Sequence, residues 1–279
     1  MEYNLSILII LTSILIILIY SKKNVESFSN IKFSDKLKEY GKNLPENYSF
    51  YADKYLVKKY INEQNIPNLI CPKTLMTLDK NEDLNLNKLP RDCVIKTNNG
   101  SGDVIVIKDR KIKVMTSRIG GFKKKLSEYK KWKEASLAPY KKKYEKHYLK
   151  IKPKIFIEEY LGDNIKDYKF FCLDGKILFL QIDGNRFQGH FRNLYDENFN
   201  LLDFTYLYKN SNEKLKKPDN FEEMKEMVKQ LSKPFKFVRV DLYCVKDKIY
   251  FGELTFVPEA GRSLIKPVEY DYKLGSLWK

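Results

Sequence analysis

Three stretches of the chain alternate apolar and polar residues at the two-residue period of β-strands, each split by turn-forming residues. In the first, CVIKT (93–97) and VIVIK (104–108) flank the loop NNGSGD, and their β-branched residues predict a hairpin. The second, DYKFFCLDGKILFLQID (167–183), predicts a hairpin turning at Asp174-Gly175. The third, FKFVRVDLYCVKDKIYFGELTF (235–256), predicts one turning near Lys246-Asp247. KIFIEEYL (154–161) reads as a strand ending in acidic residues. Ala52, Leu56, Val57, Tyr60 and Ile61 fall at helical spacing and predict an amphipathic helix over 52–64, ended by Pro67 and Pro72. A further helix is expected over 218–233, opened by Pro218 and Asp219, and the Lys-rich stretch 118–150 has helical composition with Tyr129 and Trp132 as anchors. Hairpins among helices, with few strand–helix–strand units, predict an α+β architecture of several lobes.

The start of the chain follows another pattern. Leu5 to Tyr20 is an uninterrupted apolar run without charge, Pro or Gly, slightly short for a bilayer core at ~1.5 Å per residue but extended by Tyr3 and Tyr20 as interfacial anchors. Glu2 precedes it and Lys22-Lys23 follow, which favours a retained transmembrane anchor over a cleaved signal peptide and puts the body on the cytosolic side. Residues 21–34 read as a juxtamembrane linker. The sequence therefore predicts a single-pass membrane protein that meets the membrane through residues 5–20.

With 43% apolar and 32% charged residues in 279, the body is a folded one. Its net charge of +16 suits an anionic partner, yet only seven of the 52 basic residues are Arg, a lysine bias that AT-rich coding would itself produce. Zinc-knuckle spacing, a helix-turn-helix pattern and an RNP-like aromatic run are all missing, so no dedicated nucleic-acid binding is expected. Cys71, Cys93, Cys172 and Cys244 are widely spaced, form no CxxC, and read as small apolar residues in a reducing compartment.

Candidate chemistry concentrates in the third hairpin. Period-2 geometry puts Arg239 and Asp241 on one face of their strand, and Glu253 and Thr255 on one face of theirs. A turn at Lys246-Asp247 makes paired residue numbers sum to 493 or 494, so Asp241 falls opposite Glu253 or beside it. Either the carboxylates pair with Arg239 or a surface Lys, or they share a divalent cation, for which oxygen ligands of this kind suit magnesium bound to phosphates. In the first hairpin, Asn98 to Gly102 form either a plain flexible turn or a flap whose glycines let backbone N–H groups approach phosphate, with Lys96 reaching the same oxygens. Lys54 is a second such cation. Asp167 is open between a cap or solvated role and a ribose contact. His147 and His190 are lone histidines, general bases or structural.

Together, ADKYLVKKYI (52–61), VIKTNNGSGDVIVI (94–107), HYLKIKPKIFIEEYL (147–161), DYKFFCLDGKI (167–177) and FVRVDLY…IYFGELTFVPEAG (237–261) resemble the ATP-grasp superfamily, in particular its TupA-like (teichuronopeptide-biosynthesis) family; the last stretch also looks like the metal hairpin of D-alanine–D-alanine ligases. The resemblance implies an α+β ATP-grasp fold, two lobes sandwiching ATP: anchor and linker over 1–28, a short N-terminal lobe over 29–89, a small lobe with the glycine loop over 90–162, and a large lobe with the metal hairpin over 163–279. It implies that Lys54 and Lys96 bind phosphate under a flap of Asn99, Gly100, Ser101 and Gly102, that Glu158, Glu159, Tyr160 and Leu161 meet adenine, and that Asp167 lies near the ribose. Asp241 and Glu253 would be magnesium ligands with Thr255 in place of the usual Asn, while Arg239 stands near the transferring phosphoryl and Arg262 near the acceptor. The implied activity is ATP- and Mg²⁺-dependent carboxylate–amine ligation through an acyl phosphate, on a carboxylate or sugar-containing acceptor in polysaccharide or glycoconjugate biosynthesis. A kinase on the same scaffold, and a non-catalytic module binding anionic glycan or membrane, are the alternatives.

Overall fold

The computed structural model describes residues 31–79, 81–117, 120–138, 144–163, 165–184, 191–211 and 215–279. The expected anchor at 5–20 lies outside them. Among the described residues no helix is long and apolar enough to cross a membrane. The single-pass, membrane-bound placement expected from the sequence is corrected on that finding.

Among the described residues the α-helices are α1 (Phe33–Lys42), α2 (Tyr48–Ala52), α3 (Val57–Glu63), α4 (Tyr129–Leu137), α5 (Phe221–Ser232) and α6 (Val268–Leu277). The strands are β1 (Leu69–Ile70), β2 (Thr74–Leu78), β3 (Cys93–Thr97), β4 (Val104–Lys108), β5 (Lys111–Ser117), β6 (Gly120–Gly121), β7 (Ile155–Glu159), β8 (Lys166–Leu173), β9 (Lys176–Gly184), β10 (Phe191–Tyr195), β11 (Thr205–Tyr206), β12 (Phe237–Val245), β13 (Lys248–Thr255) and β14 (Ile265–Lys266). They build two six-stranded sheets, the small sheet with the shorter strands in the order β2-β7-β3-β4-β5-β6 and the large sheet with the longer ones in the order β1-β13-β12-β8-β9-β10, and the pair β11-β14.

All three expected hairpins form. Asp174-Gly175 and Lys246-Asp247 turn their hairpins with both residues at positive φ (49° and 74°; 49° and 60°), the conformation that two-residue hairpin loops demand. The helix expected over 52–64 is interrupted. The buried Asp53 carboxylate accepts from the N–H groups of Tyr55 and Leu56 at 2.8 and 3.0 Å, so the chain turns there and α3 begins at Val57, leaving Lys54 in the turn.

Each sheet owes its sidedness to strand alternation. In β3, Cys93 and Ile95 are fully buried and pack with Ile105, Ile107 and Trp132, so Val94 and Lys96 take the other face. In the large sheet Val238, Val240, Leu242 and Leu254 share a core with the α5 residues Met224, Met227, Val228 and Leu231. On the other face, Phe171, Phe179 and Phe237 pack with Phe33 and Leu37 of α1. Asp271 of α6 fastens α1 by accepting from Ser34 N and Oγ at 2.9 and 2.8 Å. Of the stretch 29–89, the described residues divide their apolar side chains among these cores: Phe33 and Leu37 in one, Val57 and Ile61 in another, Leu78 and Leu84 in the third. Cys93 and Cys172 are buried, Cys71 and Cys244 half-buried, and all four are free thiols.

One irregularity matters for everything that follows. The β12–β13 register shifts between Asp241 and Leu242: Leu242 pairs with Phe251, but Asp241 pairs with Glu253, leaving Gly252 as the extra residue of a bulge. Both register sums expected from the sequence therefore occur, one on each side of Gly252. A Cβ at Gly252 would lie 2.9 Å from the Asp241 carbonyl oxygen and 3.1 Å from the Tyr243 ring. We expect Gly252→Ala to cost about 1–3 kcal/mol through overpacking, read by urea denaturation; a stability within error of wild type would show that the bulge accepts a side chain.

Candidate functional site

The polar residues of the large sheet stand in register on one face. Glu253 of β13 lies opposite Asp241 of β12, Asp241 opposite Lys169 of β8, and Lys169 opposite Gln181 of β9. One step along the strands, Arg239 faces Thr255 on one side of this row, while Tyr243 faces Asp167 and Asp183 faces Arg192 on the other. Lys96, Phe156 and Glu158 of the small sheet close the opposite wall, and the flap Gly100 to Asp103 closes one end of a cleft of about 850 Å³.

Arg239 sits at the centre. Its Nε and Nη2 donate to the two oxygens of Asp241 at 2.7 Å each, and Nη2 also donates to Glu253 Oε1 at 2.7 Å. Lys169 donates to Asp241 at 2.8 Å and to Asp167, and Lys54 Nζ lies 2.6 Å from Glu253 Oε2. Burial pushes Asp241 up to about 6, against the pull of Arg239 and Lys169. Burial acts the same way on Glu253, but Lys54, Arg239 and Lys169 outweigh it and hold that carboxyl well below its ordinary range. On the opposite wall Glu158 bridges Lys58 and Lys96 (2.5 Å to Lys96 Nζ); burial would raise it, and the two ammoniums override that and lower it.

The flap is anchored on both sides. Asn98 donates to Asp53 Oδ2 at 2.7 Å and to the Lys152 carbonyl at 3.0 Å, accepts from Lys154 N at 2.8 Å, and its own carbonyl accepts from Lys54 N at 3.1 Å. Thr116 Oγ1 of β5 donates to the Gly102 carbonyl at 2.9 Å. Gly102 has φ 76°, which favours glycine, and a Cβ at Gly100 would fall 1.8 Å from Asp103 Oδ2. Gly102 is held by its backbone conformation, and a side chain at Gly100 would have to displace the Asp103 carboxylate.

Of the residues singled out in the sequence, Lys54, Lys96, Gly100, Ser101, Gly102, Glu158, Asp167, Arg239, Asp241 and Glu253 line the one cleft. Thr255 lies beside it, its hydroxyl 3.2 Å from Glu253 Oε1. The others fall elsewhere. Asn99 is buried and outside the cleft lining. The Glu159 carboxylate accepts from Lys73 N at 2.7 Å, on the strand face away from Glu158. Tyr160 bonds Asp163, Leu161 is half-buried outside the cleft lining, and Arg262 is exposed and away from it. His147 is buried against Tyr148 and Phe256 with neither ring nitrogen hydrogen-bonded among the described residues; it is a core residue, and His190 lies outside the described residues.

Sequence reasoning overlooked Lys169, Gln181, Asp183, Arg192 and Glu259, all of which line the cleft. The same i, i+2 rule that links Arg239 to Asp241 links Asp167 to Lys169 and Gln181 to Asp183, so those were within reach. Arg192 was not: the residues of β10 are buried on both faces, and nothing in FRNLY sets one side apart.

Asp241 and Glu253 fit a magnesium ion by their donor chemistry: two opposed carboxylates supply hard oxygens, and such an ion takes its remaining ligands from phosphate and water. Among the described residues no group of three or more His, Cys, Asp or Glu side chains forms an all-protein metal site.

A family model described as TupA-like ATP-grasp matches residues 32–279. No curated protein matches the chain. Among solved structures, D-alanine–D-alanine ligase from Bacillus anthracis is 20% identical, covering 82% of this chain and 66% of that one with a TM-score of 0.46. N5-carboxyaminoimidazole synthetase from Staphylococcus aureus complexed with ADP is 16% identical (82% and 51% covered, TM-score 0.41). The ATP-grasp ligase PsnB, complexed with a phosphomimetic variant of a minimal precursor, Mg and ADP, is 12% identical (86% and 65% covered, TM-score 0.43). The chain spans about half to two thirds of the length of the structures it matches.

Burial lowers His147 to about 4. Its protonation is harder in the fold than in the unfolded chain, so its contribution is full above about pH 6.5 and falls by about 3 kcal/mol as the pH drops toward 4. Denaturation curves across that window should therefore be flatter for His147→Phe than for wild type; parallel curves would remove His147 as the cause.

Proposed function

Since the chain belongs to the TupA-like ATP-grasp family, we propose that it is an ATP-dependent carboxylate–amine ligase working through an acyl phosphate. One observation carries the reading: the glycine flap, Lys54, Lys96 and Arg239, and the opposed pair Asp241 and Glu253 all line one cleft between the two sheets. That is the set of groups phosphoryl transfer calls for, donors and cations aimed at a triphosphate with acids to hold a metal.

In this reading the flap from Gly100 to Gly102 covers the triphosphate and excludes water, and Lys54 and Lys96 exchange their carboxylate partners for phosphate oxygens. Glu158 releases Lys96 while keeping Lys58, so its charge stays compensated. Asp241 and Glu253 would hold magnesium, which when bound offsets phosphate charge. The Thr255 hydroxyl steadies Glu253, and Arg239, aligned by two bonds to Asp241, stands beside the group being transferred. A substrate carboxylate attacks the γ-phosphorus, ADP leaves, and an amine then displaces phosphate from the acyl carbon. Asp167 near the ribose and the backbone of Glu159 to Leu161 beside adenine complete the nucleotide site in the same reading. Arg262 would serve the acceptor only if substrate draws its turn inward. The glycoconjugate setting of the acceptor rests on the family resemblance alone.

The test is a hydroxylamine trap with ATP, Mg²⁺ and pooled carboxylates. A hydroxamate with stoichiometric ADP is the expected product, whereas a stable phosphoester would identify a kinase instead. Asp241→Asn with Glu253→Gln should lower ADP release by a factor of about 10² or more while leaving a cooperative melt. Retention of the activity by that variant would sink the reading. Chelation with EDTA should abolish turnover, and added Mg²⁺ should restore it.

A further inference from the structure

The carboxylates lining the cleft are not alike. Glu158, Asp167, Asp183, Asp241 and Glu253 each meet a lysine or arginine, and Asp103 accepts from the Thr97 hydroxyl at 3.3 Å. The Glu259 carboxylate is met by neither a cation nor a hydrogen-bond donor among the described residues, although the chain carries a net charge of +16. Glu259 is exposed, on the turn that follows the metal hairpin, and it and Ala260 are held at φ 52° and 55°, where residues with a Cβ are rare. The turn is fixed from behind: Ala260 N donates to the Val257 carbonyl at 2.9 Å, and a Cβ at Gly261 would meet Lys38 and Ser34 of α1 at 2.9 and 3.1 Å.

A second group in the same cleft points the same way. Gln181 is 1% exposed. Its Nε2 donates to both oxygens of Asp183 at 3.2 and 3.0 Å, which fixes the amide, and its Oε1 is left without a donor among the described residues. A buried acceptor without a partner is uncommon and asks for an N–H or O–H from a ligand. Asp183 is already neutralised by Arg192 at 2.7 Å, so what this end of the cleft offers is hydrogen-bond acceptance and one uncompensated negative charge. Arg192 ties this end to the β11–β14 pair: its Nη1 donates to the Tyr206 carbonyl at 3.3 Å, and Tyr206 pairs with Ile265, on the strand that directly follows the Glu259 turn.

We infer that the end of the cleft marked by Glu259 and Gln181 is the subsite for the ammonium group of the second substrate, with Glu259 carrying its charge and then its proton. The inference rests on the ligase reading for its place in the reaction. The ammonium gives one proton to the Glu259 carboxylate and becomes a free amine. Its lone pair forms the C–N bond at the acyl carbon while the bond from that carbon to the phosphate oxygen breaks. The amide nitrogen sheds a further proton to the departing phosphate, and Glu259 returns its own to water.

Glycinamide, cationic, and glycolamide, its neutral hydroxyl analogue, serve as probes in calorimetric titrations of the whole chain without nucleotide. Wild type should favour glycinamide by about tenfold, Glu259→Gln should erase the preference, and Gln181→Met should weaken both probes. No preference in wild type, or a preference that survives Glu259→Gln, overturns the inference. Because this readout needs no acyl phosphate, a failed hydroxylamine trap with the preference intact sinks the ligase reading alone.

Discussion

The structure turns on two carboxylates brought face to face under one guanidinium. Asp241 and Glu253 would repel each other in a buried setting, and a plain hairpin register would separate them, leaving Asp241 opposite Gly252. The bulge at Gly252 gives up one residue of pairing and puts them in direct register. Arg239 then makes the arrangement tolerable by bonding both acids at once, and Lys54 and Lys169 complete the compensation from either side. Removing any one of these cations would leave a buried charge short of a partner.

That compensation also joins distant parts of the chain. Lys54 comes from the turn before α3 and Lys169 from β8, while Lys96 and Glu158 pair with each other on the small-sheet wall. Asn98 ties the Lys54 turn, the start of the flap and the Lys152–Lys154 segment into one hydrogen-bonded unit. The flap and the Lys54 cation are therefore positioned together. A phosphate chain entering the cleft would meet lysines that already have carboxylate partners, and a cation entering between Asp241 and Glu253 would meet acids that already have basic ones. Each arrival frees what the other requires, so nucleotide and metal are expected to bind in support of one another.

Much of this was legible in the sequence because strands advertise their faces. Alternation in CVIKT, VIVIK, RVD and ELT fixed the hairpins and put Lys96, Arg239, Asp241 and Glu253 on identifiable sides before any fold was known. What stayed hidden depends on tertiary facts. The break at Asp53 arises from side-chain hydrogen bonds that a helical stripe of apolar residues does not reveal. Glu158 and Glu159 look equivalent as letters, yet one faces the cleft and the other the edge of β2, because adjacent strand residues point oppositely. The Pro258–Gly261 turn gives no sequence sign that Glu259, rather than Arg262, is held over the cleft.

Thr255 shows how a single substitution acts on such a site. The family resemblance leads to an expectation of Asn there, a side chain with its own carbonyl oxygen to offer a cation. Threonine instead places a hydroxyl 3.2 Å from Glu253 Oε1, the same oxygen that Arg239 holds at 2.7 Å. As a donor to that oxygen, the hydroxyl fixes the carboxylate rotamer and withdraws one lone pair from any metal; as an acceptor, it must turn its proton elsewhere. Either way, in the proposed function Glu253 rather than residue 255 would supply the stronger ligand, and the protein's share of metal binding would rest on the Asp241–Glu253 pair. The Gly252 bulge that sets that pair in register would then serve the proposed chemistry as well as the hairpin.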